Sequence, residues 1–346
     1  MLRILVLGDI FMKKEIFKEH LEKHLKEVDP ELDFRLYDWS FELRHEPGLK
    51  IREFAGSPEE VAKLAKDVDI LVVHLAPVTE EVLEIGKNIK VVACTRGGPV
   101  NVDIEAATKR RIPVIFTPGR NAETVAEYTI GLMLVESRNV IRAHMDLIKG
   151  MWREDYYYSY DVCGPELTGK TLGIIGFGAI GKRVAEIARV IGMNILVYDP
   201  YVPDEEVSKR GAKKVNLEDL LKNSDFVTIH ARLTPETRGM ISEKELKMMK
   251  PSAYLINTAR GGIIDEKALI KALQEGWIKG AALDVFEEEP LSPDNPLLKL
   301  NNVTLTPHIA GASKDVAHRA AEMVAEDIKK VLKGERPKYC INPEVL

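Results

Sequence analysis

Residues 170–181 read Lys170-Thr-Leu-Gly-Ile-Ile-Gly-Phe-Gly-Ala-Ile-Gly181, and they are the most informative part of the chain about its fold class. An apolar run ends in Gly176, Gly178 and Gly181 and passes into the helical pattern of residues 182–190. Gly176 can adopt the positive φ of a tight turn, Gly178 has no Cβ to hold a pyrophosphate away, and Gly181 lets helix and strand pack closely. The positive end of the helix then faces the phosphates. The stretch therefore predicts the strand, turn and helix of a dinucleotide-binding fold.

An acidic residue follows at the distance that such a fold requires. The next apolar run, residues 194–198, ends at Asp199. A carboxylate about 20 residues after the glycine turn accepts hydrogen bonds from ribose hydroxyls and repels a 2′-phosphate. The predicted cofactor is therefore NAD and not NADP. The alternative is a glycine-rich turn without a ligand, and it is the weaker one because strand, helix and acid are all present.

The composition places limits on the class of protein. With 346 residues, 45% hydrophobic and 30% charged, the chain is long enough for two globular domains. A net charge of -5 without a block of Lys or Arg argues against a nucleic-acid partner. The three cysteines lack metal-ligand spacing, so we expect small buried residues and no metal site. No signal peptide or membrane span of about 20 apolar residues is visible, so the expected location is the cytoplasm.

Strands and helices alternate along the chain, which predicts an α/β protein with parallel sheets. Residues 1–118 form a smaller, flavodoxin-like α/β unit whose first strand lacks a phosphate-type glycine loop. Residues 121–149 predict one long helix, ended by Gly150, at the domain junction. From the glycine strand onward, six strands are the count of a doubly wound Rossmann domain.

The last strong helical pattern, residues 313–333, ends at Gly334, and we expect it to return to the N-terminal unit. The smaller predicted domain therefore comprises residues 1–118 and 309–346. The predicted NAD-binding Rossmann domain comprises residues 119–308.

Three polar residues follow predicted strands of the second domain, namely Arg260, Glu289 and His308. Because the carboxyl ends of parallel strands face the ligand crevice, the three side chains can converge. An Arg fork holds a carboxylate, and a His exchanges the proton of a hydroxyl while hydride moves to nicotinamide. A Glu on the second imidazole nitrogen fixes its tautomer and stabilises the protonated ring. Each residue alone fits a surface ion pair, a solvated loop or a structural histidine, so the combination carries the prediction.

Four motifs carry a resemblance to the D-isomer-specific 2-hydroxyacid dehydrogenase family. They are Gly176-Phe-Gly-Ala-Ile-Gly181, Asn257-Thr-Ala-Arg-Gly-Gly-Ile-Ile-Asp265, Ala282-Leu-Asp-Val-Phe-Glu-Glu-Glu-Pro290 and Thr306-Pro-His-Ile-Ala-Gly311. The resemblance covers residues 60–335 and implies that Arg260 binds the substrate carboxylate, His308 is the acid/base and Glu289 is its partner. It also implies that residues 1–118 and 309–346 are the substrate domain, and that a homodimer is built on the nucleotide domains. The cofactor contacts that it implies are Gly176, Gly178, Ala179, Ile180, Gly181, Asp199, Ala231, Arg232, Thr237, Thr258, Ala259 and Asp284.

The substrate loop departs from the pattern of the family. Relatives commonly read Gly-Val-Gly-x-Asp-Asn-x-Asp where this chain reads Arg96-Gly-Gly-Pro-Val-Asn-Val-Asp103, and Arg232 replaces a usual Pro. Backbone N–H groups at Gly97 and Gly98 are expected to hold the substrate there. We also expect Arg96, with His74 or Arg120, to bind a second anion such as phosphate, against the alternative of a surface or structural arginine.

The resemblance predicts an NAD-dependent oxidoreductase that interconverts a D-2-hydroxy acid and its 2-keto acid in a cleft between the domains. A phosphorylated acid of the phosphoglycerate type, glyoxylate and hydroxypyruvate all fit as substrates. The alternative is an NAD-sensing binding protein or co-repressor on the same fold, since such proteins can retain Arg260, Glu289 and His308.

Overall fold

A computed structural model describes residues 1–40, 42–44, 46 and 48–346. The chain divides into two units, with Met1–Arg120 and Ser313–Leu346 in unit 1 and Asn121–Ala312 in unit 2.

In chain order, the strands are β1 Leu2–Gly8, β2 Leu32–Asp38, β3 Leu43–Arg44, β4 Phe54–Ala55, β5 Ile70–Val73, β6 Val91–Cys94, β7 Val114–Ile115, β8 Thr171–Ile175, β9 Asn194–Tyr198, β10 Lys213–Lys214, β11 Phe226–Ile229, β12 Tyr254–Asn257, β13 Gly280–Leu283 and β14 Val303–Leu305. The α-helices are α1 Lys14–Leu25, α2 Pro58–Leu64, α3 Glu80–Ile85, α4 Ile104–Lys109, α5 Ala122–Ser137, α6 Val140–Ile148, α7 Asp155–Tyr158, α8 Ala179–Val190, α9 Asp204–Lys209, α10 Leu217–Asn223, α11 Glu243–Met248, α12 Glu266–Glu275 and α13 Lys314–Leu332.

Unit 1 is built on a five-stranded parallel sheet with the order β2-β1-β5-β6-β7. Alternate side chains of β1 face opposite sides, so Leu5 and Leu7 join one apolar cluster while Ile4 and Val6 join another. Both faces of β1 are therefore buried, which is typical of a parallel sheet with helices on both sides.

Helix α13 begins after the Ser313 cap, whose hydroxyl accepts the Asp315 N–H at 3.2 Å. Its buried face, including Ala320 and Val324, belongs to the same cluster as Phe17 and Leu21 of α1. The last helix therefore packs against the N-terminal residues, as the sequence predicted.

Unit 2 is built on a seven-stranded parallel sheet with the order β10-β9-β8-β11-β12-β13-β14. The doubly wound α/β class predicted from the sequence is confirmed, whereas the predicted count of six strands is wrong. The additional strand is β10, two lysines that pair with Leu196 and Val197 at the sheet edge. Strand order reverses beside β8, and this switch point is where ligands bind in such sheets.

The single long helix predicted over residues 121–149 is also wrong, because the chain forms α5 and α6 with a break between them. Asn139 adopts a left-handed conformation at φ 56, and its Nδ2 donates to the Val162 carbonyl oxygen at 2.8 Å. Asn tolerates this conformation better than most residues, and the distant carbonyl stabilises it.

The three cysteines are free and differ in exposure, so the expectation that all are buried is wrong. Cys94 is buried, Cys340 is intermediate and Cys163 is exposed. Among the described residues, we find no helix with the length and apolar character needed to cross a bilayer.

Candidate active site

The glycine turn connects β8 to α8 at the switch point of unit 2. Gly176 has φ +92, and a Cβ there would meet the His230 and Ala231 backbone. A Cβ on Gly181 would overlap the Gly176 carbonyl oxygen, whereas one on Gly178 would meet no atom within 4 Å. Ala179 and Ile180 open α8, and their N–H groups have no partner in the described part of the chain. The turn therefore leaves space and donors for a pyrophosphate.

Asp199 lies beside this turn and is held by backbone groups. Its Oδ2 accepts the Phe177 N–H at 2.7 Å, and its Oδ1 accepts the N–H groups of Tyr201 at 2.8 Å and Val202 at 3.2 Å. These bonds fix the carboxylate next to the phosphate-binding turn. Its contact with ribose remains a prediction.

His308 and Glu289 form an accessible hydrogen-bonded pair. His308 Nδ1 lies 2.7 Å from Glu289 Oε2, and the two side chains are 47% and 36% exposed. Glu289 Oε1 accepts the Phe286 N–H at 3.0 Å, which fixes the carboxylate. Since a carboxylate accepts, Nδ1 carries the hydrogen and Nε2 is left to exchange a proton with a ligand.

The loop that carries His308 is held by a buried carboxylate. Asp284 is 0% exposed; its Oδ1 accepts from Thr306 Oγ1 at 2.6 Å and the Ile309 N–H at 2.9 Å, and its Oδ2 accepts the Ala310 N–H at 2.8 Å. His308 itself has φ 54, a left-handed conformation that is costly for a residue with a Cβ. The sequence placed Asp284 at the nicotinamide, which remains a prediction, and its role in fixing this loop was missed.

Arg260 follows β12 and is exposed. Its carbonyl accepts Asn257 Nδ2 at 3.0 Å, and its Nη1 donates to the Ala259 carbonyl at 2.6 Å. A Cβ on Gly261 would overlap the Phe286 backbone, so this loop packs against the segment that leads to Glu289. The guanidinium has no carboxylate partner among the described residues and can bind an anionic ligand.

The remaining predicted cofactor residues lie on two neighbouring loops. Thr258 is buried, and its hydroxyl lies 3.0 Å from that of Thr129. After β11, Ala231 borders Gly176. Arg232 is exposed, and its carbonyl oxygen accepts a hydrogen bond from Thr237 Oγ1 at 2.6 Å. The described residues contain no group of His, Cys, Asp and Glu side chains placed to hold a metal ion.

The predicted substrate loop lies in unit 1. Arg96 Nη1 donates to the Glu53 carbonyl at 2.8 Å, and Nη2 lies 2.5 Å from Glu53 Oε2. Gly97 and Gly98 are exposed, and their N–H groups make no hydrogen bond with the described residues. His74 is paired with Asp9 at 2.6 Å between Nδ1 and Oδ2, a contact that sequence reasoning missed.

A dinucleotide turn and an accessible imidazole–carboxylate pair at the same end of a doubly wound sheet define a nicotinamide-dependent dehydrogenase. Residues 130–310 match the family model described as D-isomer specific 2-hydroxyacid dehydrogenase, NAD binding domain. The chain belongs to the D-isomer-specific 2-hydroxyacid dehydrogenase family, which confirms the resemblance found in the motifs. It is an NAD-dependent hydroxyacid oxidoreductase, with NAD as its cofactor.

Curated relatives are similar along most of the chain. A glyoxylate reductase of Korarchaeum cryptofilum is 44% identical over 291 residues, which cover 84% of this chain and 87% of that protein. A D-3-phosphoglycerate dehydrogenase of Methanocaldococcus jannaschii is 44% identical over 308 residues, which cover 86% of this chain but 58% of that protein. The chain thus spans less than two thirds of the second relative.

Solved structures are similar over the full length. The NAD-complexed form of a D-isomer specific 2-hydroxyacid dehydrogenase from Lactobacillus delbrueckii ssp. bulgaricus has a TM-score of 0.79 at 26% identity, covering 98% of this chain and 100% of that chain.

Proposed function

We propose that the chain transfers hydride reversibly between NAD(H) and C2 of a small D-2-hydroxy or 2-keto acid. Unit 2 binds the cofactor and unit 1 contributes substrate contacts. The observation that carries the proposal is the 2.7 Å contact between His308 Nδ1 and Glu289 Oε2 in an accessible pair. Such a pair presents Nε2 as a general acid or base.

In the reducing direction, Nε2 of protonated His308 gives its proton to the carbonyl oxygen of the keto acid. In the oxidising direction, neutral Nε2 removes the hydroxyl proton. Glu289 stabilises the imidazolium and keeps the ring oriented, while the Arg260 fork holds the substrate carboxylate by two charge-assisted hydrogen bonds. NAD, when bound, supplies or accepts the hydride.

The substrate class follows from the relatives and from the exposed guanidinium of Arg260. Similar proteins carry the names D-3-phosphoglycerate dehydrogenase, glyoxylate reductase and hydroxypyruvate reductase. We infer a small 2-keto acid of one of these kinds. The mixed surface charge argues against a nucleic-acid partner, and free cysteines fit the cytoplasm, where thiols stay reduced.

We infer that a second copy of the chain covers an apolar surface of unit 2. Helix α6 has no buried residue. Exposed apolar side chains continue from it into the following segment: Val140, Ile141, Met145, Leu147, Ile148, Met151, Trp152, Tyr157, Tyr158 and Tyr160. Apolar groups gathered on one surface mark an interaction site, and a homodimer built on unit 2 would bury them. Analytical ultracentrifugation tests this inference. We expect the wild type to sediment as a dimer and Ile148→Asp to sediment as a monomer.

The activity is tested by following NADH absorbance with glyoxylate, hydroxypyruvate, phosphohydroxypyruvate and pyruvate, and with NADPH in parallel. We expect turnover with NADH, a clear preference over NADPH because of Asp199, and a loss of at least about a hundredfold in kcat/KM for Arg260→Ala. Tight NADH binding without turnover of any acid would instead support an NAD sensor.

A further inference from the structure

Arg120 of unit 1 is a partly buried guanidinium whose protein partners are weak acceptors. Its Nη2 lies 3.5 Å from His74 Nε2, its Nη1 lies 4.0 Å from Met12 Sδ, and its central carbon lies 5.9 Å from the Phe11 ring centre. No carboxylate pairs with it among the described residues. Burial lowers the pKa of Arg120 to about 10, and nearby Arg96 adds to the shift, so the group still carries its charge at neutral pH. A charged fork without strong acceptors is suited to an anionic ligand.

The histidine beside Arg120 does not supply that anion. Asp9 Oδ2 accepts from His74 Nδ1 at 2.6 Å, and Asp9 Oδ1 accepts the N–H groups of Phe11 at 2.9 Å and Met12 at 2.8 Å. The carboxylate of Asp9 is therefore occupied. Burial lowers the pKa of His74, so the ring is neutral and turns its unprotonated Nε2 toward Arg120.

Further donors are connected to Arg120 through the backbone. The Thr117 carbonyl accepts the Arg120 N–H at 3.4 Å, and the Thr117 N–H donates to the Arg96 carbonyl at 3.0 Å. Thr117 is 0% exposed, and its hydroxyl has no hydrogen-bond partner in the described part of the chain. Arg96 donates two N–H groups to Glu53, which leaves it further donors. The N–H of Gly97, the next residue, makes no hydrogen bond with the residues that the structure describes.

We propose that Arg96, Arg120 and His74 form a subsite for a second anionic group of the substrate. The preferred substrate is then a 2-keto or 2-hydroxy acid that also carries a phosphate ester or a second carboxylate. The two guanidinium groups bind the anion, and neutral His74 orients the Arg120 fork by accepting from it. The inference rests on the proposed function and adds the class of acid that this site selects.

Two matched pairs of keto acids test the subsite. Phosphohydroxypyruvate differs from hydroxypyruvate by the phosphate, and oxaloacetate differs from pyruvate by the second carboxylate. We expect wild type to prefer one dianionic member. Arg120→Gln and Arg96→Gln should each lower that preference, measured as the ratio of kcat/KM values, by at least about tenfold, or about 1.4 kcal/mol. The control is Arg110→Gln, since Arg110 pairs with Glu84 at 2.9 Å on the surface of unit 1, and it should leave the ratio unchanged.

Equal losses on both members of each pair, or a wild type without any preference, would overturn the subsite. Titration calorimetry with inorganic phosphate on the NADH-bound chain separates this failure from failure of the proposed function. Phosphate binding that Arg120→Gln abolishes, in a chain that reduces no keto acid, supports the subsite and refutes the dehydrogenase proposal. Turnover of keto acids without phosphate binding, and without a preference for the dianionic acid, supports the dehydrogenase proposal and refutes the subsite. Thermal melts establish that each variant is folded. If Arg120→Gln does not fold, Arg96→Gln provides the test in its place.

Discussion

An imidazole–carboxylate pair of unit 1, His74 with Asp9, and one of unit 2, His308 with Glu289, differ mainly in their access to solvent. In unit 2, His308 Nδ1 and Glu289 Oε2 are 2.7 Å apart, with side chains 47% and 36% exposed. In unit 1, His74 Nδ1 and Asp9 Oδ2 are 2.6 Å apart, with side chains 9% and 2% exposed. The same hydrogen bond can serve chemistry only where the second ring nitrogen can reach a reacting group.

Burial gives the pair in unit 1 a different function. Removal from water lowers the pKa of His74 more than Asp9 raises it, so this ring remains neutral and acts as a fixed acceptor. Burial also opposes ionisation of Asp9, but the hydrogen bonds from His74 and the Met12 and Phe11 backbone outweigh it and lower the pKa of Asp9. The comparison predicts that substitutions in the His308–Glu289 pair change rates and that those in the His74–Asp9 pair change stability.

The largest effect is expected for His308→Gln. Without an ionisable group at this position, kcat/KM should fall by about 10³-fold or more, because general acid–base catalysis contributes about 10²–10⁴-fold and substrate contacts are also lost. NADH binding, measured by fluorescence, should persist. The matched substitution His74→Gln should reduce the rate far less, and an equal loss in both variants would remove the distinction between the pairs.

Glu289→Gln should reduce kcat by roughly ten- to a hundredfold, since the protonated imidazole loses its carboxylate partner. Glu288→Gln, which changes an adjacent exposed acid, is the control. Equal values of kcat in Glu289→Gln and Glu288→Gln would show that the carboxylate does not act through the ring.

Asp9→Asn should destabilise the fold by about 1–3 kcal/mol, because a buried network of hydrogen bonds to a charged acceptor is broken. The measurement is the urea midpoint of the transition that reports on unit 1. In Glu289→Gln the midpoint should change much less, since that pair is exposed. Comparable losses in the two variants would contradict the assignment of a structural role to the buried pair alone.

The smallest effect concerns pH. The pKa of His74 is lowered from 6.5 in the folded chain, so the unfolded chain binds more protons below that value. Its contribution to the free energy of unfolding is therefore complete above about pH 6.5 and is lost as pH falls toward the lower folded pKa. Denaturation series between pH 7 and pH 5 should show a shallower decline in His74→Gln than in wild type, and identical slopes would exclude this contribution.

The sequence predicted features that depend on local chemistry. Gly176 and Gly181 sit between strand and helix, and the positive φ of Gly176 and the overlap that a Cβ on Gly181 would cause both require a residue without a side chain. The contact between Glu289 and His308 was predicted through their motifs and is present, while their roles in turnover remain predictions.

Features that depend on distant contacts escaped prediction. The helix break at Asn139 needs the Val162 carbonyl, and β10 pairs with β9 through two lysines that have no apolar pattern. The Asp9–His74 pair joins residues 65 positions apart, so neither residue indicates the other. The spacing of the cysteines could not show that Cys163 lies at the surface.

Because α13 lies near the end of the chain, unit 1 can be completed only at the end of synthesis. Residues 121–312 form a continuous unit, whereas unit 1 needs both Met1–Arg120 and Ser313–Leu346. Ala320 and Val324 of α13 complete the apolar cluster that contains Ile4 and Val6 of β1. A ribosome therefore releases the first strands of unit 1 long before the helix that covers them. During translation, this face of the nascent sheet stays uncovered until α13 emerges, and transiently exposed apolar surface of this kind is prone to misassembly.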